Sequence, residues 1–110
     1  MTAPDFTIGQ GDTLPVLTRT LDDVNGPIDL TNATSVTMTL HDRWKATLYL
    51  SVACIIATPK TAGNISYGWR AADTALAGDY LAEFLVIFGD GTRVTIPNTP
   101  AKTWIQIVAT

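Results

Sequence analysis

Cysteine and histidine are almost missing from this 110-residue chain: Cys54 and His41 are the only representatives. A lone thiol has no intramolecular partner, so an internal disulfide is excluded. One cysteine and one histidine cannot supply the ligands of a structural zinc site, so a metal site would have to be mostly carboxylate. Charge is scarce too. Asp, Glu, Lys and Arg make up 15% of the residues, and the net charge is −3. Nucleic-acid surfaces need clustered Lys and Arg. Here the only basic cluster is Arg43 and Lys45 around Trp44, which argues against a nucleic-acid partner. The longest apolar stretch, around residues 48 to 57, is too short to span a bilayer. The N-terminus "MTAPDFTIGQGD" has neither a basic region nor an apolar core. No secretory signal is expected, and synthesis and folding in a cytoplasm follow.

Helical periodicity is the last thing in short supply, and strand patterns fill its place. Hydrophobic residues reach 46%, enough for one globular domain over residues 1–110. β-branched residues recur between turn signals. "FTIGQGDTLPVLTRTL" reads as a strand near residues 5 to 8 and another near 13 to 20, with Pro15 marking an edge or bulge. Asn25-Gly26 is a turn. "SVTMTLHD" alternates, with Val36, Met38 and Leu40 on one face and Thr37, Thr39 and His41 on the other. "TLYLSVACIIA" puts Leu48, Leu50, Val52, Cys54 and Ile56 on one face. "RAADTALAG" has local helical propensity, and a single helical turn near 71–76 is expected, closed by Gly78 as a C-cap. In the strand that follows, Tyr80, Ala82, Phe84, Val86 and Phe88 face one way, and Leu81, Glu83, Leu85 and Ile87 the other. "GDG" makes a hairpin turn. "TRVTI" pairs back and "TWIQIVA" closes the domain. The simplest all-β architecture is an antiparallel two-sheet sandwich of about eight strands.

Groups that could carry chemistry are sparse. His41 and Asp42 are adjacent on a strand, so they point to opposite faces and make a poor relay. Ser35 and Ser51 lack a nucleophile elbow. Asp22, Asp23, Asp73, Asp79 and Asp90 are spread over separate turns, whereas calcium wants six to eight oxygens from an encircling loop; turn formation accounts for them better. "IGQGDT" has no lysine and no following helix, so it is not a phosphate loop. Cys54 alternates in phase with core residues and reads as packing. No enzyme activity, cofactor or metal is therefore expected. Trp44, in the charged turn "DRWK", and Trp104, out of phase with Ile105 and Ile107, are expected to face outward.

The segment "YGWRAADTALAGDYLAEFLVIFGDGTRVTIPN" carries a more specific pattern. Its marks are a Trp before the turn, "ADTALAGDY", "AEF", a "DG" hairpin and a closing "T-Pro-Asn". With the opening "GDTLPVLTRTLDDVNGPIDLTNATSVTMTL", it resembles a phage family: the immunoglobulin-like N-terminal domain of the baseplate upper protein and its small virion relatives. The resemblance spans nearly the whole chain. It implies an immunoglobulin-like fold and a role in building a virion. The corner before Tyr80 fits that fold, since Tyr80 lies two residues before Ala82, where antibody domains carry a cysteine.

The expected function is a non-enzymatic bacteriophage structural protein, in a tail, baseplate or fibre-attachment position. Capsid decoration or head–tail joining is the alternative. A carbohydrate- or cell-surface-binding module using Trp44, Tyr49 or Trp104 is the alternative of another class. The partners implied are other virion proteins and further copies of the chain, with neither nucleic acid nor membrane, and the place implied is the virion. The interface expected is Trp44, Leu81, Leu85, Ile87 and Trp104. Leu81, Leu85 and Ile87 form a second apolar face that one core cannot cover.

Overall fold

Alternation in the sequence becomes sheet structure at nearly every point where it is regular. The structure, a computed structural model, describes residues 3–23, 25–45, 47–96 and 103–110. The elements in order are β1 (Phe6–Gly9), β2 (Leu17–Thr20), β3 (Asp22–Asp23), β4 (Gly26–Pro27), β5 (Ala33–Asp42), β6 (Leu48–Ala53), β7 (Ile55–Ile56), a 3-10 turn (Lys60–Ala62), β8 (Asn64–Tyr67), β9 (Gly78–Phe88), β10 (Arg93–Ile96) and β11 (Thr103–Val108). Pro97 and Asn98, the end of the closing motif, lie outside the described residues.

The large sheet has the order β1-β11-β9-β5-β6, and β10 also pairs with β9. The small sheet is β2-β8-β7, and β3 and β4 form a separate two-stranded ladder. β9 is the spine. One edge pairs with β5 from Tyr80 to Phe88. The other edge therefore takes both β10, opposite Phe84 to Ile87, and β11, opposite Gly78 to Ala82. Most ladders are antiparallel, but β1 runs parallel to β11, against the all-antiparallel expectation. Asp5 fixes that junction: its N–H donates to the Trp104 carbonyl (2.8 Å) and its carboxylate accepts the Trp104 N–H (2.7 Å).

Both sheets contribute to one core. Val36, Met38, Leu40, Tyr80, Ala82, Phe84, Val86, Ile105 and Ile107 come from the large sheet, Leu17, Ile65 and Tyr67 from the small one, and Leu21, Leu30 and Trp69 from connections. The alternation expected for β5 and β9 is observed residue for residue, apart from Phe88, which is half-buried against the core.

Three local expectations are corrected. First, the helical turn is not at 71–76. That stretch is an irregular turn, and Gly78 begins β9 instead of capping a helix. Its backbone is held by tertiary tethers that a short helix cannot outcompete: Gln10 donates to the Ala75 carbonyl (2.8 Å) and Thr74 to that of Asp12 (2.9 Å). The helical turn sits at Lys60–Ala62, closed by Gly63 at φ 72°. A Cβ on Gly63 would lie 2.7 Å from the Leu21 carbonyl oxygen, so glycine is required there on two counts. Second, Leu48 is not in phase with Leu50 and Val52. A bulge pairs Leu40 with Leu50 but His41 with Leu48, and the extra residue inverts the facing. Leu48 is consequently 61% exposed. Third, the strand near 13 to 20 starts only at Leu17, and Leu14 and Val16 are exposed.

Candidate protein-interaction face

The bulge that exposes Leu48 turns Tyr49 inward. Its ring stacks on Tyr80 at 4.5 Å between centroids, and its hydroxyl donates to the Asp73 carbonyl at 2.7 Å. Tyr49 is thus part of the fold, and of the three residues named for a glycan site it is engaged within the chain. Asp73 is the centre of that corner. It is buried, and its carboxylate accepts the Tyr67 hydroxyl, the Arg70 N–H (2.9 Å) and the Arg70 guanidinium (3.1 Å). Tyr80 closes the corner by donating to the Leu76 carbonyl at 2.9 Å. In the sequence Asp73 looks like one turn aspartate among several. The signal that marks it out is its spacing from the "GDY" that follows.

Burial alone would raise the pKa of Asp73. The hydrogen bonds from Tyr67 and from the Arg70 backbone and side chain outweigh it and hold the carboxyl below its usual 3.8. The Tyr67 phenol is pushed up to about 12, by burial first and by the neighbouring carboxylate second. A folded-state pKa below the unfolded one contributes stability above the unfolded value and loses it as pH falls through the folded value. Part of the stability is therefore expected to disappear below about pH 4. Asp73→Asn keeps the shape but weakens the acceptors. It should cost about 1–3 kcal/mol at pH 7 and flatten the acid limb of the stability curve. Urea melts of both proteins between acid and neutral pH check this; an unchanged acid limb would place the acid sensitivity elsewhere.

Asp23 and Asp90 close turns, as expected, whereas Asp79 lies in β9 and bonds across to β11 instead. Asp90 accepts the Thr92 N–H (3.0 Å) and hydroxyl (2.6 Å) inside the β9–β10 hairpin, where Gly91 takes φ 90°. Asp42 accepts the N–H groups of Trp44 and Lys45 (2.9 Å each). Cys54 is half-buried against the core, and burial pushes its thiol up to about 11, which suits packing and not nucleophilic chemistry. Among the described residues no group of three or more His, Cys, Asp or Glu side chains lies together as a metal site would require. Open hollows occur among the described residues. One, at the hairpin tip, is lined by Asn32, Phe88, Gly89, Asp90 and Thr92; another by Thr18, Arg19, Thr20, Ala57, Asn64, Ile65 and Ser66. Neither sets a nucleophile beside a base.

The outer face of the large sheet is different in kind. Its rows follow from the register: Ser35, Ile87 and Arg93; Thr37, Leu85 and Thr95; Thr39 and Glu83; His41, Leu81 and Trp104. Leu81, Leu85 and Ile87 all lie there, half-buried among their cross-strand neighbours. At one end the Arg43 guanidinium lies near two indoles, 4.0 Å from the Trp104 ring centroid and 4.9 Å from that of Trp44. A guanidinium over aromatic faces gains cation–π energy and keeps its edge donors free. Below it, Asp79 accepts from Trp104 Nε1 (3.0 Å) and Gln106 Nε2 (3.2 Å), which locks the Trp104 ring in place. Trp44 is 74% exposed. All five residues expected at the interface are therefore on or beside one face. Arg43, which links the two tryptophans, was not anticipated, because the contact joins a turn to a distant strand.

Comparison with known proteins adds no identity: no family model and no curated protein matches the chain.

Proposed function

We propose that this chain is an immunoglobulin-like domain and a non-enzymatic structural component of a bacteriophage virion, joined to its neighbours through the outer face of the large sheet. The sheet order supports the immunoglobulin-like reading, with β1-β11-β9-β5-β6 opposed to β2-β8-β7. So does the corner at Tyr80, whose hydroxyl bonds back to Leu76 as the tyrosine corner of such domains does. Ala82, buried two residues later, occupies the place of the usual cysteine.

The observation that carries the contact function is the outer face itself. Leu81, Leu85 and Ile87 lead toward a Trp104–Arg43–Trp44 cluster whose last ring is exposed. Trp and Arg are the residues most enriched where binding energy concentrates. The assignment to a virion, in a tail, baseplate or fibre-attachment position, follows the resemblance of residues 67 to 98; capsid decoration and head–tail joining fit the same surface. The glycan-binding alternative is favoured by one observation, the exposed indole of Trp44 beside a cation.

Mass spectrometry and antibody labelling of purified particles test the proposal. The chain is expected in them at a fixed stoichiometry. Absence from particles, together with retention of the purified domain on host-cell glycans, would replace it with the binding-module reading.

A further inference from the structure

We propose that the open edge of β6 pairs with β6 of a second copy, so that two large sheets run on as one across a two-fold axis. This does not rest on the virion assignment, and it concerns an edge, not the outer face.

Among the described residues β1, β6 and β10 each leave one side of the large sheet unpaired, and β2 and β7 end the small one; β10 carries Arg93, and β3 and β4 are two residues each. Exposed edges carry unpaired N–H and C=O groups, and monomeric proteins blunt them with charge, proline, brevity or cover. β7 is two residues long. β2 follows Pro15 and carries Arg19, and β1 is a four-residue strand entered through Pro4 and Asp5. β6 has the sequence LYLSVA and holds neither a charge nor a proline. Its bulge lies at Leu48 and Tyr49 and leaves the remainder regular.

The backbone directions can be read from one bond. The Cys54 N–H donates to the Val36 carbonyl at 2.8 Å, and Ala53 stands opposite Thr37. Amides alternate along a strand, so Leu50 and Val52 turn theirs to β5, and Ser51 and Ala53 turn theirs to the open side. Both side chains are small and exposed. An antiparallel second β6 with its axis at Val52 sets Ser51 against Ala53 of the other copy, and the reverse. Each outward donor and acceptor then finds its match.

Two observations favour a second copy as the occupant. The strand is neutral, so placing it against itself brings no like charges together. The inner side chains Leu50 and Val52 are only half-buried, whereas their ladder partners Leu40 and Met38 are fully buried. The core is open on that side, and the same two residues from a second copy would extend and close it. Such an edge contact is smaller than the roughly 1,200–2,000 Å² of a stable complex, so the dimer is weak and forms at high local concentration.

Sedimentation equilibrium of the purified chain up to about 1 mM, the weak end of specific association, tests the inference alongside amide exchange at low and high concentration. The expected result is concentration-dependent dimerisation, with the Ser51 and Ala53 amides gaining protection. Ser51→Pro removes an outward donor and no β5 bond, and should weaken dimerisation about tenfold or more. Ser51→Lys, which adds an edge charge and keeps the donor, should act in the same direction. A monomer throughout the range would overturn the proposal. So would a dimer that persists in a folded Ser51→Lys variant, or one whose protection appears on Leu81 and Trp104 instead of on β6. Pairing of the edge only with an extended peptide from a different protein would overturn the choice of occupant.

Discussion

Phe84→Ala is expected to destabilise the domain by about 3–5 kcal/mol, the range for removing a large aromatic side chain from a well-packed core. Phe84 is 1% exposed and sits at the middle of the spine strand. Met38 stands opposite it on β5 and Ile96 on β10, so the cavity would open between three strands at once. Hydrogen-bonded ladders on both edges of β9 keep its backbone from collapsing into the gap. With a total stability of roughly 5–15 kcal/mol for a domain of this size, the variant should lose a large part of its margin. Denaturant unfolding measures it directly. A midpoint within about a degree or two of the parent in a thermal melt would mean that the site relaxes far more easily than its ladder suggests.

That expectation was legible in the sequence because β5 alternates apolar and polar residues from Val36 to His41, and β9, paired to it, sets Tyr80, Phe84 and Phe88 on one face. A strand has a period of two, so chemically distinct faces identify the inner set. Legibility failed where the period slips. In "TLYLSVACIIA" almost every residue is apolar, so nothing in composition marks the bulge at Leu48 and Tyr49, and the wrong one of the pair was assigned inward. It failed again at 71–76, where Ala-rich local preference suggested a helix. The actual conformation is set by Asp73, Thr74 and Ala75 bonding to residues near and far. The tethers to Gln10 and Asp12 are tertiary and leave no local trace.

The placement of the proposed contact residues on one face was legible for a related reason. Leu81, Leu85 and Ile87 are apolar on the face opposite a complete apolar set, and no single core explains both. Arg43 escaped because the cluster depends on β11 bringing Trp104 alongside the turn after β5. Its guanidinium brings two separate tryptophans into one cluster, and Asp79 fixes the Trp104 ring. Preordered aromatic anchors lose little entropy when a partner binds, which is what a Trp104 ring fixed in advance would contribute to the proposed contact.

Leu85→Asp is expected to leave the isolated domain folded and to reduce its incorporation into particles at least about tenfold. The factor follows from the cost of desolvating an unpaired charge at a contact, several kcal/mol, against about 1.4 kcal/mol for each tenfold change in binding. Leu85 lies at the centre of its row, between Thr37 and Thr95. Those neighbours are polar enough to tolerate a carboxylate while the face is in water. Glu83 occupies the same face two residues away, so part of any loss of monomer stability would be repulsion between the two carboxylates. Leu85→Thr separates the effects. It adds no charge, keeps strand preference and matches its row, yet removes most of the apolar contact. Melting of the purified variants and their copy number in assembled particles are the two measurements. Folded variants that incorporate normally would show that the face is simply exposed in the particle. Unfolding of Leu85→Thr as well as Leu85→Asp would show that the face is covered within the chain, and in either case the contact would have to lie at the exposed Trp44 turn.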